Sequence, residues 1–455
     1  MKTQTTTARD MTDGSIIKQI ALFSLPLMFG NIFQMLYNTV DSIVVGNYVS
    51  TQALAAVGST TMIINMLVFF FNGFSVGAGV IISRFFGSKE LDRLHDSIET
   101  TMAATFIFCI AFTIIGTLGV KPMLHFMATP EDVFADATTY LRIYFLGISG
   151  LLIYNMGSGV LRAVGDTIRP LYLLILTSVM NIILDLTFVK GFHMGIEGVG
   201  YATIISQFIS ALLILRLLLK SDDIYKLTLN DLKIDPEIMK LIVIVGLPAG
   251  IQQVITAFSN VFVQSYVNFF GSDCMAGWSS YNKLDSFIML PMQSMAMAAT
   301  TFVSQNIGAG KFKRADQGTR TAIVMSLVTT GTIATFLYIF ARPAIRMFSA
   351  EQAVIDYGSL FIHTNVYFLM FNCINHTLAS SLRGRGDSKG PMIIMLSTFV
   401  VLRQIYLFTV THYVANTPVL VGFGYPVGWM SCCLIEVTYY IIRYRILKLD
   451  PLKKS

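Results

Sequence analysis

Long apolar stretches recur along the whole chain and limit its fold more than any other feature. A helix that crosses a bilayer needs about 20 predominantly apolar residues. The mean hydropathy is +0.65 and only 13% of the residues are charged, which excludes an ordinary soluble domain. The sequence predicts an all-α membrane protein with twelve transmembrane helices, at about 17–45, 53–84, 97–120, 133–161, 168–189, 196–219, 238–269, 274–305, 318–341, 353–382, 390–413 and 423–446.

Basic residues are concentrated in every second connection between these spans, and therefore on one side of the membrane. Lys and Arg are retained on the cytoplasmic side of membrane proteins, so their distribution predicts orientation. One side holds 25 of the 32 basic residues, in the N-terminus, around 84–93, 162–169, 216–240, 311–320 and 383–389, and in the tail from 443. We therefore expect both termini and the long connection 221–237 to be cytoplasmic. The same distribution explains the net charge of +6 without a nucleic-acid partner.

The two halves of the chain repeat one another. The sequence LRAVGD at 161–166 recurs as LRGRGD at 382–387, an offset of 221 positions, and each precedes a proline. Pro26 recurs as Pro248 at an offset of 222. We therefore predict an N-terminal six-helix lobe at 1–220, a cytoplasmic linker at 221–237 and a C-terminal six-helix lobe at 238–455. Six helices per half is an even number, which predicts two bundles related by a pseudo-two-fold axis along the membrane normal, with a central cleft.

The first span, Leu25 to Gly46, is apolar but contains an aspartate. A carboxylate at membrane depth costs roughly 2.5 to 3.5 kcal/mol on insertion-derived scales, so Asp41 predicts an ion or proton pathway. Tyr37 and Asn38 precede it by one helical turn, which predicts that a phenol and an amide share its face. Pro26 removes a backbone hydrogen bond near the start of the helix, and we expect it to act as a hinge.

A second carboxylate is expected at the same depth. Asp185 lies five residues before the end of the fifth span, as Asp41 does in the first, and both spans run in the same direction. Asn181 is one turn deeper, and Thr203 reaches this layer from the sixth span. Such oxygens suit Na⁺, and two adjacent carboxyl groups also suit a shared proton. The sequence leaves open whether a proton or Na⁺ binds at Asp41, Asn181, Asp185 and Thr203.

The motifs resemble those of the multidrug and toxic compound extrusion (MATE) transporters over nearly the whole chain. The resemblance rests on the Pro26 to Gly46 helix, the LRAVGD and LRGRGD loops, SRFFGSKE and SQNIGAGK after the second and eighth spans, and NIILD at 181–185. The resemblance implies a bacterial inner-membrane antiporter that expels amphipathic, often cationic compounds in exchange for H⁺ or Na⁺. The DinF-like branch is the closer match, because its aspartates of helices 1 and 5 and its helix 5 asparagine are matched by Asp41, Asp185 and Asn181. The acidic residues of the NorM-like branch are absent from 251–260 and 371–381, which argues against a cation site in the second half.

Other polar or adaptable residues are candidates for a substrate cavity. Methionine side chains adapt to dissimilar apolar ligands, and an ionisable residue within a span is a candidate for function. Two further charged residues lie within spans, Glu436 in the twelfth and Arg403 in the eleventh. We expect them to form an ion pair with each other, which would be a structural role and not a substrate contact. The cavity candidates are Tyr140, Asn155, Met289, Met292, His376 and Asp285.

Other functions have less support in the sequence. A flippase for lipid-linked saccharides shares the twelve-helix plan and is the main alternative, but it would favour a strongly cationic cavity. An enzyme or an ATP-driven pump would need motifs such as HExxH, a paired Cys/His set or a phosphate-binding GxxxxGK[ST] loop, which the sequence lacks. We expect small-molecule substrates, a lipid environment, a monomer, no nucleic acid and no cofactor beyond the coupling ion.

Overall fold

The computed structural model describes residues 8–221, 223–229 and 232–446, and this part of the chain is almost entirely helical. The distal ends of the predicted cytoplasmic termini, 1–7 and 447–455, lie outside the described residues. Six long helices precede the connection at 221–235: α1 (Ile16–Tyr48), α2 (Thr51–Ser88), α3 (Leu91–Phe126), α4 (Glu131–Ala163), α5 (Ile168–Gly191) and α6 (Ile196–Lys220).

Six further helices follow in the second half. They are α7 (Pro236–Asn268), α8 (Ser272–Gly308), α9 (Phe312–Ile339), α10 (Gln352–Gly384), α11 (Lys389–Val414) and α12 (Pro418–Tyr444). A short helix, Ala341–Arg346, lies between α9 and α10. Eleven helices of the described chain are continuous and apolar enough to span a membrane. The twelfth predicted span is α10, in which a 3₁₀ turn at Val366–Phe368 joins two shorter α-helices.

The two LRxxGD loops share a tight turn at their glycines. Gly165 and Gly386 have φ of 90° and 89°, a left-handed conformation that glycine adopts without a steric penalty. Asp166 then accepts hydrogen bonds from the backbone N–H groups of Ile168 and Arg169, both at 3.2 Å, and so caps the start of α5. These contacts give the first loop a structural role.

The chain divides into two compact units whose boundaries lie inside α1 and α7. The first unit contains the described residues 8–10 and Leu25–Val243, and the second contains Met11–Ser24 and 244–446. The break in α1 is next to Pro26, and the break in α7 is five residues before Pro248. The connection predicted at 221–237 stays with the first unit. There Lys233 Nζ lies 3.0 Å from Asp96, and Arg93 donates to Glu237 at 2.8 Å.

Close contact between α4 and α6 shapes the interior of the first unit. A Cβ atom at Gly147 would lie 2.2 Å from the Ile204 side chain, and one at Gly150 would lie 2.8 Å from the backbone of α6 at Gln207. Small residues on one face let two helices approach closely in a membrane protein. The glycines of α4 therefore bring the polar residues of α6 near the centre of this unit.

The second unit has an interior of packed aromatic rings. Trp278 of α8 packs edge-on against Phe361 of α10 at 4.8 Å between centroids, and it lies 5.7 Å from Tyr425 of α12. Trp429 lies 5.6 Å from Tyr425. Rings in such offset and edge-on contacts bury large apolar areas and pack well. These rings belong to one continuous buried cluster of the second unit.

Candidate functional site

Two carboxyl groups meet in the interior of the first unit. Asp41 of α1 and Asp185 of α5 have exposed fractions of 9% and 0%. Their carboxyl groups lie within hydrogen-bonding reach of one another. Both oxygens of Asp185 and Oδ1 of Asp41 lack a hydrogen-bond donor among the described residues. A pair of buried carboxylates contains only acceptors, so a proton or a cation is needed to satisfy it.

The helix that carries Asp185 changes its winding at this residue. Regular α-helix ends at Asp185, and Leu186–Gly191 continues as a wider π-helical turn. Such turns break the regular hydrogen-bond pattern and occur often at functional sites. The change therefore lies directly beside the carboxylate.

The predicted neighbours of the pair are mostly in place. Asn181 is 2% exposed, and neither its amide oxygen nor its amide nitrogen has a hydrogen-bond partner in the described chain. Thr203 is buried next to the phenol of Tyr37. Tyr140 is also buried and lies close to Asp41. The expectation that α1, α4, α5 and α6 contribute to one polar layer agrees with this arrangement.

The prediction that Asn38 shares the inner face of α1 with Asp41 is not supported by the structure. The Asn38 side chain is exposed, whereas Asp41 and Asp185 are buried, and it does not line the cavity beside them. Residues at i−3 and i−4 lie on opposite sides of the residue they precede, because each step along a helix turns by about 100°. The inner side of α1 passes through Tyr37 and Asp41, which leaves Asn38 on the outer side.

A cavity of about 150 Å³ lies beside this layer, within the first unit. Asn155 of α4, a predicted cavity residue, lines it. The cavity extends from Asn181 toward the loop before α5, and the lining positions Pro170 and Asn181 are roughly 16 Å apart along that helix. Its other polar lining residues include Asn31, Gln34, Tyr37, Tyr154, Arg162, Thr167, Thr177, Ser178, Thr203, Ser206, Gln207 and Ser210.

Several of these lining residues were not predicted from the sequence. Gln34 lies one turn before Tyr37 on α1, and Ser206 and Gln207 follow Thr203 by one turn on α6. Amides and hydroxyls are common in helices, so no single one marks a site. The signal available was spacing, since residues one turn apart share a helix face.

The candidates of the second half lie in the other unit. Met292 is 1% exposed, so its side chain is part of the packed interior and not of an open surface. Met289 accepts a hydrogen bond from the Asn372 amide at 3.7 Å. Asp285 lies near the Tyr281 and Tyr425 rings, and its Oδ1 is buried without a hydrogen-bond partner in the described residues. His376 lies near the Arg383 guanidinium.

The predicted Glu436–Arg403 ion pair is wrong. Arg403 donates to Ser259 Oγ at 2.7 Å and to Asn260 at 3.0 Å, and it lies over the Tyr425 ring at 4.7 Å. Glu436 instead accepts a hydrogen bond from the Cys432 thiol at 3.8 Å. Side-chain amides, hydroxyls and rings satisfy the buried guanidinium, so no carboxylate is needed beside it.

Comparisons with known proteins agree with this architecture. The chain is 30% identical over 444 residues to "Probable multidrug resistance protein YpnP" of Bacillus subtilis, covering 97% of this chain and 99% of that protein. It is 28% identical over 435 residues to "Probable multidrug resistance protein YoeA" of the same organism, covering 94% of each. A crystal structure of a "MATE P26A mutant" has the same fold, with a TM-score of 0.92, 23% identity, and coverage of 98% of this chain and 100% of that one.

The family model MatE matches this chain twice, at residues 26–187 and 248–409. The two matches begin at Pro26 and Pro248, the prolines that open the sequence repeat. The repeated helices and the full-length relatives lead to one conclusion. The chain belongs to the MatE family, and it is a multi-pass membrane transporter and not an enzyme.

Proposed function

We propose that this transporter is a secondary antiporter that exports amphipathic or cationic compounds in exchange for H⁺ or Na⁺. The observation that supports this most is the Asp41–Asp185 pair, two adjacent buried carboxyl groups that lack hydrogen-bond donors in the described chain. The names of the B. subtilis relatives, which describe probable multidrug resistance proteins, support the substrate class.

The exchange follows from the charge of the pair. Two like charges in a poorly hydrated pocket repel, so one proton or one cation stabilises the empty site. A cationic substrate in the adjoining cavity supplies the same positive charge. Substrate and coupling ion therefore stabilise the same carboxylates and compete for them, so that inward flow of the ion expels the substrate.

Residues around the pair decide how the ion is held. If Na⁺ couples export, the oxygens of Asp41, Asp185, Asn181 and Thr203 are the hard ligands that it prefers. If H⁺ couples export, the same amide and hydroxyl groups orient the protonated carboxyl group. The coupling site lies in the first half, as the resemblance to the DinF-like branch implies.

The flippase alternative has less support. A lipid-linked saccharide carries phosphate, which would favour several basic residues in the cavity. Among the residues that line the first-unit cavity, Arg162 alone is basic.

Efflux from proteoliposomes tests the proposal. Purified transporter is reconstituted with tetraphenylphosphonium inside, and H⁺ and Na⁺ gradients are imposed separately at zero membrane potential. One of the two gradients should accelerate loss of the compound over protein-free liposomes. Equal loss with and without both gradients, or a steady ionic current without a substrate, would contradict an antiporter.

A further inference from the structure

The residues that precede α1 are held by buried side chains of the second unit. Met11 is fully buried, its N–H donates to Gln305 Oε1 at 2.9 Å, and its carbonyl accepts from Asn306 Nδ2 at 3.3 Å. Gln305 and Asn306 are themselves fully buried near the end of α8. Lys311 Nζ, in the turn that follows, lies 2.7 Å from the Asp13 carboxylate. Three residues of the SQNIGAGK motif therefore form a docking site for the start of the chain.

The residues that precede α7 dock in the same way on α3 of the first unit. The Asp235 N–H donates to the hydroxyl of Thr100 at 3.0 Å, and Thr100 is fully buried. The hydroxyl of Thr100 donates in turn to the Lys233 carbonyl at 3.5 Å. Lys233 Nζ lies 3.0 Å from Asp96, and Arg93 Nη1 lies 4.0 Å from Asp235. Backbone and side-chain contacts together hold this second segment.

The sequence repeat relates the two docking sites to one another. Asp13 corresponds to Asp235 at the offset of 222, and Arg314 corresponds to Arg93 at the offset of 221. Arg314 Nη2 donates to the Asp13 carbonyl at 3.0 Å, as Arg93 lies beside Asp235. Corresponding arginines thus contact corresponding segments, but each segment docks on the opposite half of the chain. The docking is crossed, and it occurs in both halves.

Crossed docking divides α1 between the two units. Met11–Ser24 belongs to the second unit, and Ile20 and Phe23 within it are fully buried. Residues 8–10 and the rest of α1, which carries Asp41, belong to the first unit. Pro26 lies directly after the change of unit, where a backbone hydrogen bond of the helix is missing. The start of α1 is therefore fixed to one unit and its carboxylate to the other.

We propose that the docking site at the end of α8 is an anchor that makes α1 bend during transport. Gln305, Asn306 and Lys311 are its positioning residues, because they keep the start of α1 on the second unit. Transporters built from repeats alternate their access largely by movement of one bundle against the other. A helix that is fixed to both bundles has to absorb this movement, and it does so most easily at Pro26. The anchor thereby shifts the part of α1 that carries Asp41, whichever ion or compound is carried.

An anchor and a merely structural contact predict different results when two changes are combined. A contact that only stabilises the fold acts independently of the proline, so its effect on turnover should multiply with that of Pro26→Ala. An anchor acts through the bend. Once the start of α1 is released, the bend is no longer imposed, and the proline should matter little.

The test measures turnover of tetraphenylphosphonium in proteoliposomes for Gln305→Leu, Pro26→Ala and the two changes together. Leucine keeps the size of the glutamine side chain but cannot accept the Met11 N–H. Gln305→Leu should slow turnover several-fold with an unchanged Kd for the compound. Pro26→Ala should slow the wild type several-fold, but should slow Gln305→Leu by less than about twofold. Effects that multiply, or a wild-type rate for Pro26→Ala, would overturn the anchor.

A surface variant keeps the test decisive if Gln305→Leu does not give a monodisperse protein. Lys311→Met then replaces it, because that side chain is partly exposed and contacts the docked segment. Lys313→Met is the matched control, since Lys313 is an exposed lysine two residues later in the sequence. Lys313→Met should keep the wild-type turnover and the full effect of Pro26→Ala. Equal behaviour of the two lysine variants would overturn the anchor.

Hydrogen exchange gives a second readout that does not depend on transport. Mass spectrometry of a peptide that covers 9–15 should show slow exchange of the Met11 amide in the wild type, with and without tetraphenylphosphonium. In the variant used for the transport test, this amide should exchange about tenfold faster, because the segment is held less firmly. Fast exchange in the wild type, or an unchanged rate in the variant, would show that the segment is not anchored.

Discussion

The two halves of the chain share a repeat but differ at the positions that carry charge. Asp41 corresponds to Val263, which is fully buried among apolar residues, and Asp185 corresponds to Tyr406, whose hydroxyl donates to the Leu420 carbonyl at 3.1 Å. Asn181 corresponds to Leu402. At these three positions the first half has buried polar groups that lack hydrogen-bond partners among the described residues, whereas the second half has apolar or hydrogen-bonded side chains.

Helix packing differs at corresponding positions as well. Gly147 and Gly150, where α4 touches α6, correspond to Phe368 and Phe371 of α10. Glycine lets α6 approach and present its polar residues to the interior. In the second half, Phe368 packs edge-on against Phe423 at 5.2 Å between centroids. This difference supports the proposal that the first half holds the binding site.

The largest difference between the halves should appear when carboxylates are removed. Asp41→Asn and Asp185→Asn should each reduce gradient-driven efflux of tetraphenylphosphonium to the rate of protein-free liposomes, because asparagine keeps the shape but neither titrates nor carries charge. Asp285→Asn, the matched change in the second unit, should retain a substantial part of the activity. Normal efflux by both first-half variants, with loss in Asp285→Asn, would place coupling in the other half.

Packing of α4 against α6 should give the next largest effect. Gly150→Ala forces a methyl group to within 2.8 Å of the α6 backbone, and such overpacking costs about 1–3 kcal/mol. The melting temperature of the purified protein should fall by several degrees. Gly79→Ala in α2 is the control, since nothing lies within 4 Å of a Cβ there, and it should leave the melting temperature unchanged or slightly higher. Equal changes in both variants would show that the contact does not support the first unit.

Replacing the prolines that open the two halves should change the transport rate by a smaller margin. Pro26→Ala restores a backbone hydrogen bond within α1, so the helix that carries Asp41 should bend less readily. We expect a several-fold slower turnover with unchanged substrate affinity. Pro248→Ala makes the same change in α7, which carries Val263 in place of a carboxylate, and should slow transport less. A wild-type rate for purified Pro26→Ala would exclude the hinge.

Orientation in the membrane is a separate prediction. Thr228, in the connection after α6, should be cytoplasmic, because the basic residues cluster on that side. A single cysteine there, in a background without the native cysteines, should resist an impermeant thiol reagent added outside intact cells. Rapid labelling would reverse the predicted topology.

Much of this structure could be predicted because its determinants are local or repeated. The twelve spans follow from apolar length, and the turns at Gly165 and Gly386 follow from residue types that tolerate them. The pairing of Asp41 with Asp185 was predictable because both lie equally far from the same ends of parallel spans. Depth along a helix is set by its residue count, and no tertiary contact is needed to know it.

Features that depend on partners distant in the sequence could not be predicted. The N-terminal residues 1–15 are mostly polar, which gives no sign that any of them is buried. Met11 is nevertheless fully buried, with its N–H donating to Gln305 at 2.9 Å, an interaction that spans 294 positions of the sequence.

The central claim is that substrate and coupling ion compete for the first-half carboxylates, and ion release on substrate binding tests it most directly. Tetraphenylphosphonium is added to purified transporter in weakly buffered solution, and released H⁺ and Na⁺ are measured in parallel. Wild type and Asp285→Asn should release one of the two ions in proportion to the compound bound, whereas Asp41→Asn and Asp185→Asn should release none. Release that is unchanged in both first-half variants, or that is lost only in Asp285→Asn, would contradict the claim.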